Sequence, residues 1–237
     1  MTFVQSASAN GDGSSTTLAV SLTGVGSGNL IVVYAGFFNE ATTSMSVSDG
    51  TSTLTGLTQR HAGTNNHDGQ WFYLLTANSG NLTYTVTYGA ARSFRRIWVG
   101  EYSYTGTASF DVENFNNSDV TNVLAGGVIT TTGTDELVLS SHQCHVGAHI
   151  SSPQFDSVAA DRTTQIGSNA DVWDRILTAT VSNKEASGTA GSAQWLSITA
   201  SFIITGGGAR GLFRTPPLSG IGIGGSFFRD PLQEVRT

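Results

Sequence analysis

A short polar segment holds three of the five histidines and the only cysteine of the chain. His142, Cys144, His145 and His149 lie within Ser141–His149, SHQCHVGAH. Imidazole and thiolate groups are typical zinc ligands, and zinc takes them in a tetrahedron. In a strand, His142 and Cys144 would share a face, and His149 could return from a turn. The spacing matches no standard zinc motif, however, and a second ligand pair is missing. We therefore predict no metal site, and interpret Cys144 as a small buried apolar group.

A second candidate is the acidic stretch TASFDVENFNNSD. Oxygen ligands at alternating positions can bind calcium. The stretch lacks the glycine turn and the bidentate glutamate of an EF-hand, so a solvated, turn-rich loop is the favoured interpretation. Its oxygen-bearing side chains include Asp111, Glu113, Asn116, Asn117 and Asp119.

A basic and aromatic group could bind a phosphate or stack on a base. It consists of Arg92, Arg95 and Arg96 beside Phe94 and Trp98. The whole chain has a net charge of −6, which opposes electrostatic binding of nucleic acid. We therefore interpret these residues as strand-edge arginines that pair with carboxylates, and predict no nucleic-acid partner.

Hydrolytic chemistry needs two facing carboxylates, or a nucleophile with an oriented base. Glu101 and Asp174 each lie in a strand-like segment, and nothing in the sequence pairs them. The chain has no G-x-S-x-G element. The sequence therefore predicts that the protein is not an enzyme, with no catalytic residues and no cofactor.

Aromatic side chains offer a different function, because the face of a β-sandwich can present them to sugars. Each is better explained by packing in the core or within a sheet. The candidates are Trp71, Trp98, Trp173, Trp195, Tyr34, Tyr73, Tyr102 and Tyr104.

The elements that position these residues are predicted to be strands. Leu30–Phe38 is a continuous apolar run, typical of a central strand covered on both faces. Gln70–Thr76 and the alternating Leu82–Tyr88 flank a five-residue loop and predict a hairpin. Gln194–Ile204 is also a predicted strand, with an apolar face that begins at Leu196. Further strands are predicted over Thr17–Leu22, Ser44–Val47, Arg95–Tyr104, Thr121–Thr131, Glu136–Gln143 and Val172–Val181.

Composition supports this interpretation. Of 237 residues, 38% are apolar and only 12% are charged, about half the usual share. No stretch shows the 3.6-residue period of an amphipathic helix. Ten or more strands separated by turns predict an all-β fold, a jelly-roll-like two-sheet antiparallel β-sandwich. We expect one domain over 16–205 and an N-terminal extension over 1–15. No strong repeat is evident, since GNLIVVYAG and TDELVLSSH are similar only in kind.

Residues 206–237 differ from the rest of the chain and predict an extended Gly/Pro-rich arm. They read GGGARGLFRTPPLSGIGIGGSFFRDPLQEVRT and contain three of the four prolines. Their apolar side chains follow no period, so the arm needs a surface to lie on. Its net charge of +2 leaves −8 on the rest of the −6 chain, which favours docking on an acidic neighbouring subunit. Folding back on its own domain is the alternative. The predicted partner-binding residues are Arg210, Leu212, Phe213, Arg214, Ile221, Ile223, Phe227, Phe228 and Arg229.

Residues 28–106 carry a recognisable succession of strands and turns. An apolar strand, GNLIVVYAGF, is followed by the turn VSDG, the strand QWFYLLT, the strand LTYTVTY and the segment GEYSYTG. This order resembles that of structural proteins of bacteriophages and of bacterial surface proteins. The resemblance implies a β-sandwich used for adhesion or for building a particle.

These observations together predict a virion structural protein: a capsid decoration protein or another accessory head or tail component of a bacteriophage. Its partners would be copies of itself and other virion subunits. The first alternative is a carbohydrate-binding or adhesin domain that takes a surface glycan, and the second is a glycan-active enzyme. No stretch approaches the roughly 18 apolar residues of a membrane span, so no membrane partner is expected. The first residues do not resemble a signal peptide, so we expect synthesis in the host cytoplasm and a final location in the virion.

Overall fold

The computed structural model describes residues 1–38, 40–62, 67–145 and 149–206. Within these residues the chain forms antiparallel sheets and no helix. The all-β class predicted from the alternating apolar pattern is therefore confirmed. All but the first residue of the predicted arm lies outside the described residues.

The N-terminal half, residues 2–103, forms two sheets. The inner sheet has the order β1-β9-β3-β7-β5, with β6 also paired to β7, and the outer sheet has the order β2-β8-β4. Residues 1–15, separated above as an extension, include β1, which pairs with β9 from Thr2 to Gly11. The strands are β1 (Thr2–Gly11), β2 (Ser15–Val25), β3 (Leu30–Phe37), β4 (Met45–Ser48), β5 (Thr55–Gly56), β6 (Arg60–Ala62), β7 (His67–Leu74), β8 (Gly80–Arg92) and β9 (Arg95–Ser103).

The C-terminal half, residues 107–205, also forms two sheets. Its inner sheet has the order β10-β18-β12-β16-β15, and its outer sheet has the order β11-β17-β13-β14. The strands are β10 (Thr107–Ser118), β11 (Val123–Ala125), β12 (Glu136–Cys144), β13 (Ser151–Phe155), β14 (Val158–Ala159), β15 (Arg162–Ile166), β16 (Ala170–Leu177), β17 (Ala186–Thr189) and β18 (Trp195–Thr205).

The two halves repeat one arrangement of strands. In each half, the first strand pairs with the last strand and the second strand pairs with the next-to-last. The third strand pairs with the strand that precedes the next-to-last. These nested pairs are β1–β9, β2–β8 and β3–β7, then β10–β18, β11–β17 and β12–β16. The registers also agree. Ile31 lies opposite Leu74 and Glu101. Glu136 lies opposite Leu177 and Ile203.

This agreement identifies an internal repeat that the sequence analysis did not find. The segments GNLIVVYAG and TDELVLSSH contain most of β3 and β12, which occupy equivalent places in the two halves. Within the described residues, 2–103 and 107–205 therefore show the same strand order.

Three apolar clusters separate the four sheets. One fills the N-terminal half, around Val33 and Val86. A second lies between the two inner sheets, around Trp71 and Phe202. The third fills the C-terminal half, around Phe155. The expectation of two sheets is therefore corrected to four, because the inner sheets also pack on each other.

The strand β3 shows why the inner sheets are buried on both faces. Ile31 and Val33 belong to the cluster of the N-terminal half, whereas Val32 and Tyr34 belong to the cluster between the inner sheets. All eight residues of β3 are buried, as its continuous apolar sequence predicts.

The predicted hairpin of Gln70–Thr76 with Leu82–Tyr88 is wrong. The strand β7 belongs to the inner sheet, whereas β8 pairs with β2 and β4 in the outer sheet. The alternation did predict the buried face of the strand, since Tyr84, Val86 and Tyr88 are all buried. A period of two fixes which face a side chain takes, but it does not identify the partner strand.

Polar contacts also join the two halves. The Trp71 indole N–H donates to the carbonyl of Ile198 at 3.1 Å. The Tyr34 hydroxyl donates to Oε1 of Gln143 at 2.8 Å, in a fully buried position. These directed bonds fix the register of one inner sheet against the other, because a buried donor without an acceptor is costly.

Candidate functional site

All five histidines lie near one end of the inner sheets. The strands β3 and β12 end there, and their antiparallel partners β7 and β16 begin there. His61 is on β6, and His67 is the first residue of β7. His142 is near the end of β12, His145 follows it, and His149 comes just before β13. Sequence analysis had grouped only the last three.

Two of the side chains at this end are fully buried aspartates in equivalent positions of the repeat. Asp68 lies opposite Phe37, and Asp171 lies opposite His142, the counterpart of Phe37. Each aspartate is 0% exposed and faces a histidine. Nδ1 of His61 is 3.0 Å from the Asp68 carboxylate.

The Asp171 carboxylate joins the end of β12 to the residues that lead into β13. Nδ1 of His142 and Nδ1 of His149 lie 3.2 and 2.9 Å from its two oxygens. The backbone N–H of Ile150 donates to it at 2.9 Å. A buried carboxylate with this many partners anchors the segment that enters β13, which explains these histidines without catalysis.

The environment of His67 keeps its imidazole neutral. Burial, followed by the positive charge that His145 and His142 would carry, lowers the pKa of His67 to about 4. Nε2 of His67, Nε2 of His142 and Nδ1 of His145 are buried without a hydrogen-bond partner. Among the described residues, no three His, Cys, Asp or Glu side chains are arranged to hold a metal ion. The absence of a metal stays a prediction.

An open pocket of about 250 Å³ lies at this end, where the two halves meet. Arg96, 1% exposed, forms much of its floor. The Arg96 guanidinium donates to Asp12 at 2.8 Å and to Asn169 at 2.9 Å, and lies 5.2 Å from the ring centroid of Phe38. The lining residues are Asp12, Phe38, Phe94, Arg96, His145, Ser168 and Asn169.

The neighbouring arginines bind groups within the protein. Arg92 pairs with a carboxylate, as the sequence interpretation proposed. Nη1 of Arg92 lies 3.7 Å from the carboxylate of Glu40. Arg95 differs from the expectation, since it donates to backbone carbonyls, including that of Gly13 at 2.6 Å. The guanidinium groups of this cluster are thus engaged within the protein and do not form an open phosphate site.

The acidic stretch 107–119 is not the loop that sequence analysis favoured. All but its last residue belongs to β10, an edge strand paired with β18. Asp111 accepts from Thr132 at 2.7 and 2.9 Å. Glu113 accepts from Arg60 at 3.0 Å. These carboxylates have separate partners and do not converge on a calcium site.

The Asp111 carboxylate also neighbours Glu136, which is fully buried at the start of β12. Burial first, and then the neighbouring Asp111 carboxylate, raise the pKa of Glu136 to about 7. The folded protein therefore binds a proton here that the unfolded chain releases near pH 4.5, the ordinary value of a glutamate. The stabilisation that the protonated Glu136 contributes is complete below about pH 4.5, and it is lost as the pH rises through about 7.

We expect Glu136→Gln to remove this loss of stability at high pH, because the glutamine side chain stays neutral at every pH. The free energy of unfolding at pH 8 should rise by roughly 1–3 kcal/mol relative to the unchanged protein, and the difference should vanish near pH 4. Urea titrations from pH 4 to 8 measure it. Glu185→Gln is the matched control for the loss of one negative charge. A constant difference between Glu136→Gln and the unchanged protein at every pH would contradict the assignment.

The two carboxylates considered for hydrolysis have separate hydrogen-bond partners. Glu101 accepts from Gln5 at 2.6 Å and from Asn29 at 2.5 Å. Asp174 accepts from Arg162 at 2.6 Å and from the hydroxyl of Tyr102. Burial raises the pKa of Asp174, although both donors oppose the shift. Neither carboxylate faces the other across a substrate-sized gap.

The aromatic residues considered as a sugar platform lie inside the protein. Tyr73 and Tyr104 are half-buried against the cluster between the inner sheets. The remaining six are 0–3% exposed: Trp71, Trp98, Trp173, Trp195, Tyr34 and Tyr102. Sequence analysis missed Phe38 and considered Phe94 only as part of a phosphate or base site that it did not favour; both residues line the pocket between the halves.

No protein family model matches the chain, and no curated protein or solved structure was found to be similar to it. Nothing in these comparisons bears on the resemblance of residues 28–106 to phage and surface proteins. Within the described part of the chain, no helix has the length and apolar character needed to cross a membrane. The predicted partner-binding residues lie outside the described residues: Arg210, Leu212, Phe213, Arg214, Ile221, Ile223, Phe227, Phe228 and Arg229.

Proposed function

We propose that this protein is a non-enzymatic structural subunit of a bacteriophage virion, a capsid decoration protein or another accessory head or tail component. The observation that carries the proposal is the nested strand order, present twice. Pairing of first with last and second with next-to-last is what results when a long hairpin rolls into two sheets. Each half is thus proposed to be a jelly roll, an architecture of viral capsid and lectin domains. The step from this architecture to a virion is an analogy of fold.

The hydrogen bonds of the buried carboxylates support a structural role. Asp171, Glu101 and Asp174 each bind several donors within the protein. Carboxylates with several partners inside the protein are typical of a structural role. Glycan recognition by the predicted aromatic platform loses its support, because those side chains are buried or half-buried in the core.

Assembly is proposed to occur through the arm, residues 206–237. The sequence places four arginines against two carboxylates in the arm, whereas the rest of the chain is acidic. An extended chain covers about 3.3 Å per residue, so 31 residues beyond Gly206 can reach about 100 Å. A compact body of this size is roughly 45 Å across. The arm is therefore long enough to bind a neighbouring subunit.

The full-length protein should assemble in solution. Mass photometry and electron micrographs are expected to show discrete particles many times heavier than the 24.7 kDa chain. Replacing both Phe227 and Phe228 with alanine should reduce the assembled fraction at least tenfold, because each buried phenylalanine contributes about 1.5–3 kcal/mol. The double replacement of Gln233 and Glu234 with alanine is the matched control. A stable monomer at tens of micromolar would contradict the proposal.

A further inference from the structure

We propose that the pocket between the two halves binds a neutral hydroxylated ring, namely a single sugar residue of a glycan. This goes beyond the proposed structural role and does not depend on assembly. The pocket is lined by Phe38, Phe94 and Arg96 from the N-terminal half, and by His145 and Asn169 from the C-terminal half.

The backbone of Phe94 is the first observation. Phe94 has a φ of 51°, in the left-handed region that glycine adopts freely and a bulky side chain rarely adopts. It lies with Ser93 in the two-residue turn between β8 and β9. Strained positions of this kind cluster at binding sites, where the surrounding structure maintains them.

The backbone conformation of Phe94 places its aromatic ring at the pocket. Phe94 stacks on Phe38 with ring centroids 4.8 Å apart and planes at 25°. Phe38 is 6% exposed, whereas Phe94 is only half-buried. One aromatic surface of Phe94 therefore remains available beside the pocket. The C–H face of a sugar ring packs well on such a surface, because the face of an aromatic ring is electron-rich.

The charges of the pocket favour a neutral ligand. The guanidinium of Arg96 is paired with Asp12 at 2.8 Å and bound to Asn169 at 2.9 Å. An anion would meet the Asp12 carboxylate, and a cation would meet Arg96. Since the two opposite charges compensate each other, a ligand with hydroxyl groups can bind at the exposed Asp12 carboxylate without the cost of desolvating an ion of its own.

The remaining polar groups fit hydroxyls. Nδ1 of His145 is buried without a hydrogen-bond partner, and Ser168 at the pocket is exposed. Together with the second oxygen of Asp12, these groups offer both donors and acceptors around an aromatic wall. A volume of about 250 Å³ suits one ring and is too small for a buried oligosaccharide.

Phe94→Gly tests the proposal, because glycine accepts the positive φ without steric strain and so offsets part of the packing lost with the ring. The matched control is Asn183→Gly, at a φ of 53° in an exposed connection away from the pocket. The probes are the methyl glycosides of glucose, galactose, mannose and N-acetylglucosamine. Saturation-transfer NMR and calorimetry on the full-length protein measure binding.

At least one glycoside should bind, with a Kd in the millimolar range typical of one small ring, about 1–10 mM. Phe94→Gly should weaken that binding at least tenfold while the variant stays folded, and Asn183→Gly should bind normally. Ser168→Tyr, which fills the pocket from an exposed position, should also abolish binding. The proposal is overturned if none of the four glycosides binds, if either pocket variant binds normally, or if adenosine binds more tightly than every sugar.

Discussion

Trp71→Ala is expected to lower the free energy of unfolding by about 3–5 kcal/mol, the range for removing a fully buried large side chain. Trp71 is 0% exposed and lies between the two inner sheets. Its ring packs edge-on against Trp98 at 6.2 Å and beside Tyr34 at 5.3 Å. The variant also loses the bond from the indole to the carbonyl of Ile198. The cavity would separate two sheets that cannot close it by a local shift.

Urea unfolding followed by tryptophan fluorescence and by circular dichroism measures this effect. Trp71→Phe is the control, since it keeps most of the volume and loses the N–H; its cost should be about 1–2 kcal/mol. Both signals should change in one transition, because the halves share the cluster around Trp71. A loss below about 1 kcal/mol, or two separate transitions in the unchanged protein, would show that the halves are not packed as described.

The strands themselves could be predicted from the sequence. Alternation in Leu82–Tyr88 and the continuous run Leu30–Phe38 reflect which side chains are buried, and burial is a local property of each strand. The same pattern carries little information about partners. The predicted hairpin was wrong for that reason: β7 pairs with β3, β5 and β6, whereas β8 pairs with β2 and β4.

The internal repeat could not be recognised from the residues alone. Equivalent positions differ in chemistry: Ile31 corresponds to Glu136, and Phe37 corresponds to His142. What the halves share is register and strand order, which long-range pairing creates. Many sequences satisfy one arrangement of backbone hydrogen bonds as long as the buried faces stay filled.

The pocket could not be predicted from the sequence, because residues that are distant along the chain form it. Arg96 and Asn169 are 73 residues apart, yet they are joined by two hydrogen bonds. Sequence proximity grouped His142, Cys144 and His145, and the structure shows that His142 binds Asp171 while Cys144 is an apolar residue of the core.

Removal of residues 207–237 is the second change with a large expected effect. The last strand, β18, ends at Thr205, so the truncated chain keeps every strand described here. We expect it to fold with an unchanged Tm and to remain monomeric. The arm offers several apolar anchors worth about 1.5–3 kcal/mol each. Ordering its backbone costs about 1–2 kcal/mol per residue, so docking needs those anchors.

The central claim, that this is an assembling structural protein held together by its arm, is tested most directly by the mass of the truncated chain beside that of the full-length protein. Mass photometry at equal concentrations should show particles for the full-length chain and monomers alone for residues 1–206. Circular dichroism of the truncated chain should show an intact β-sheet spectrum. Particles of the same mass from the truncated chain would contradict the claim, and an unfolded truncated chain would show that the arm belongs to the core of its own subunit.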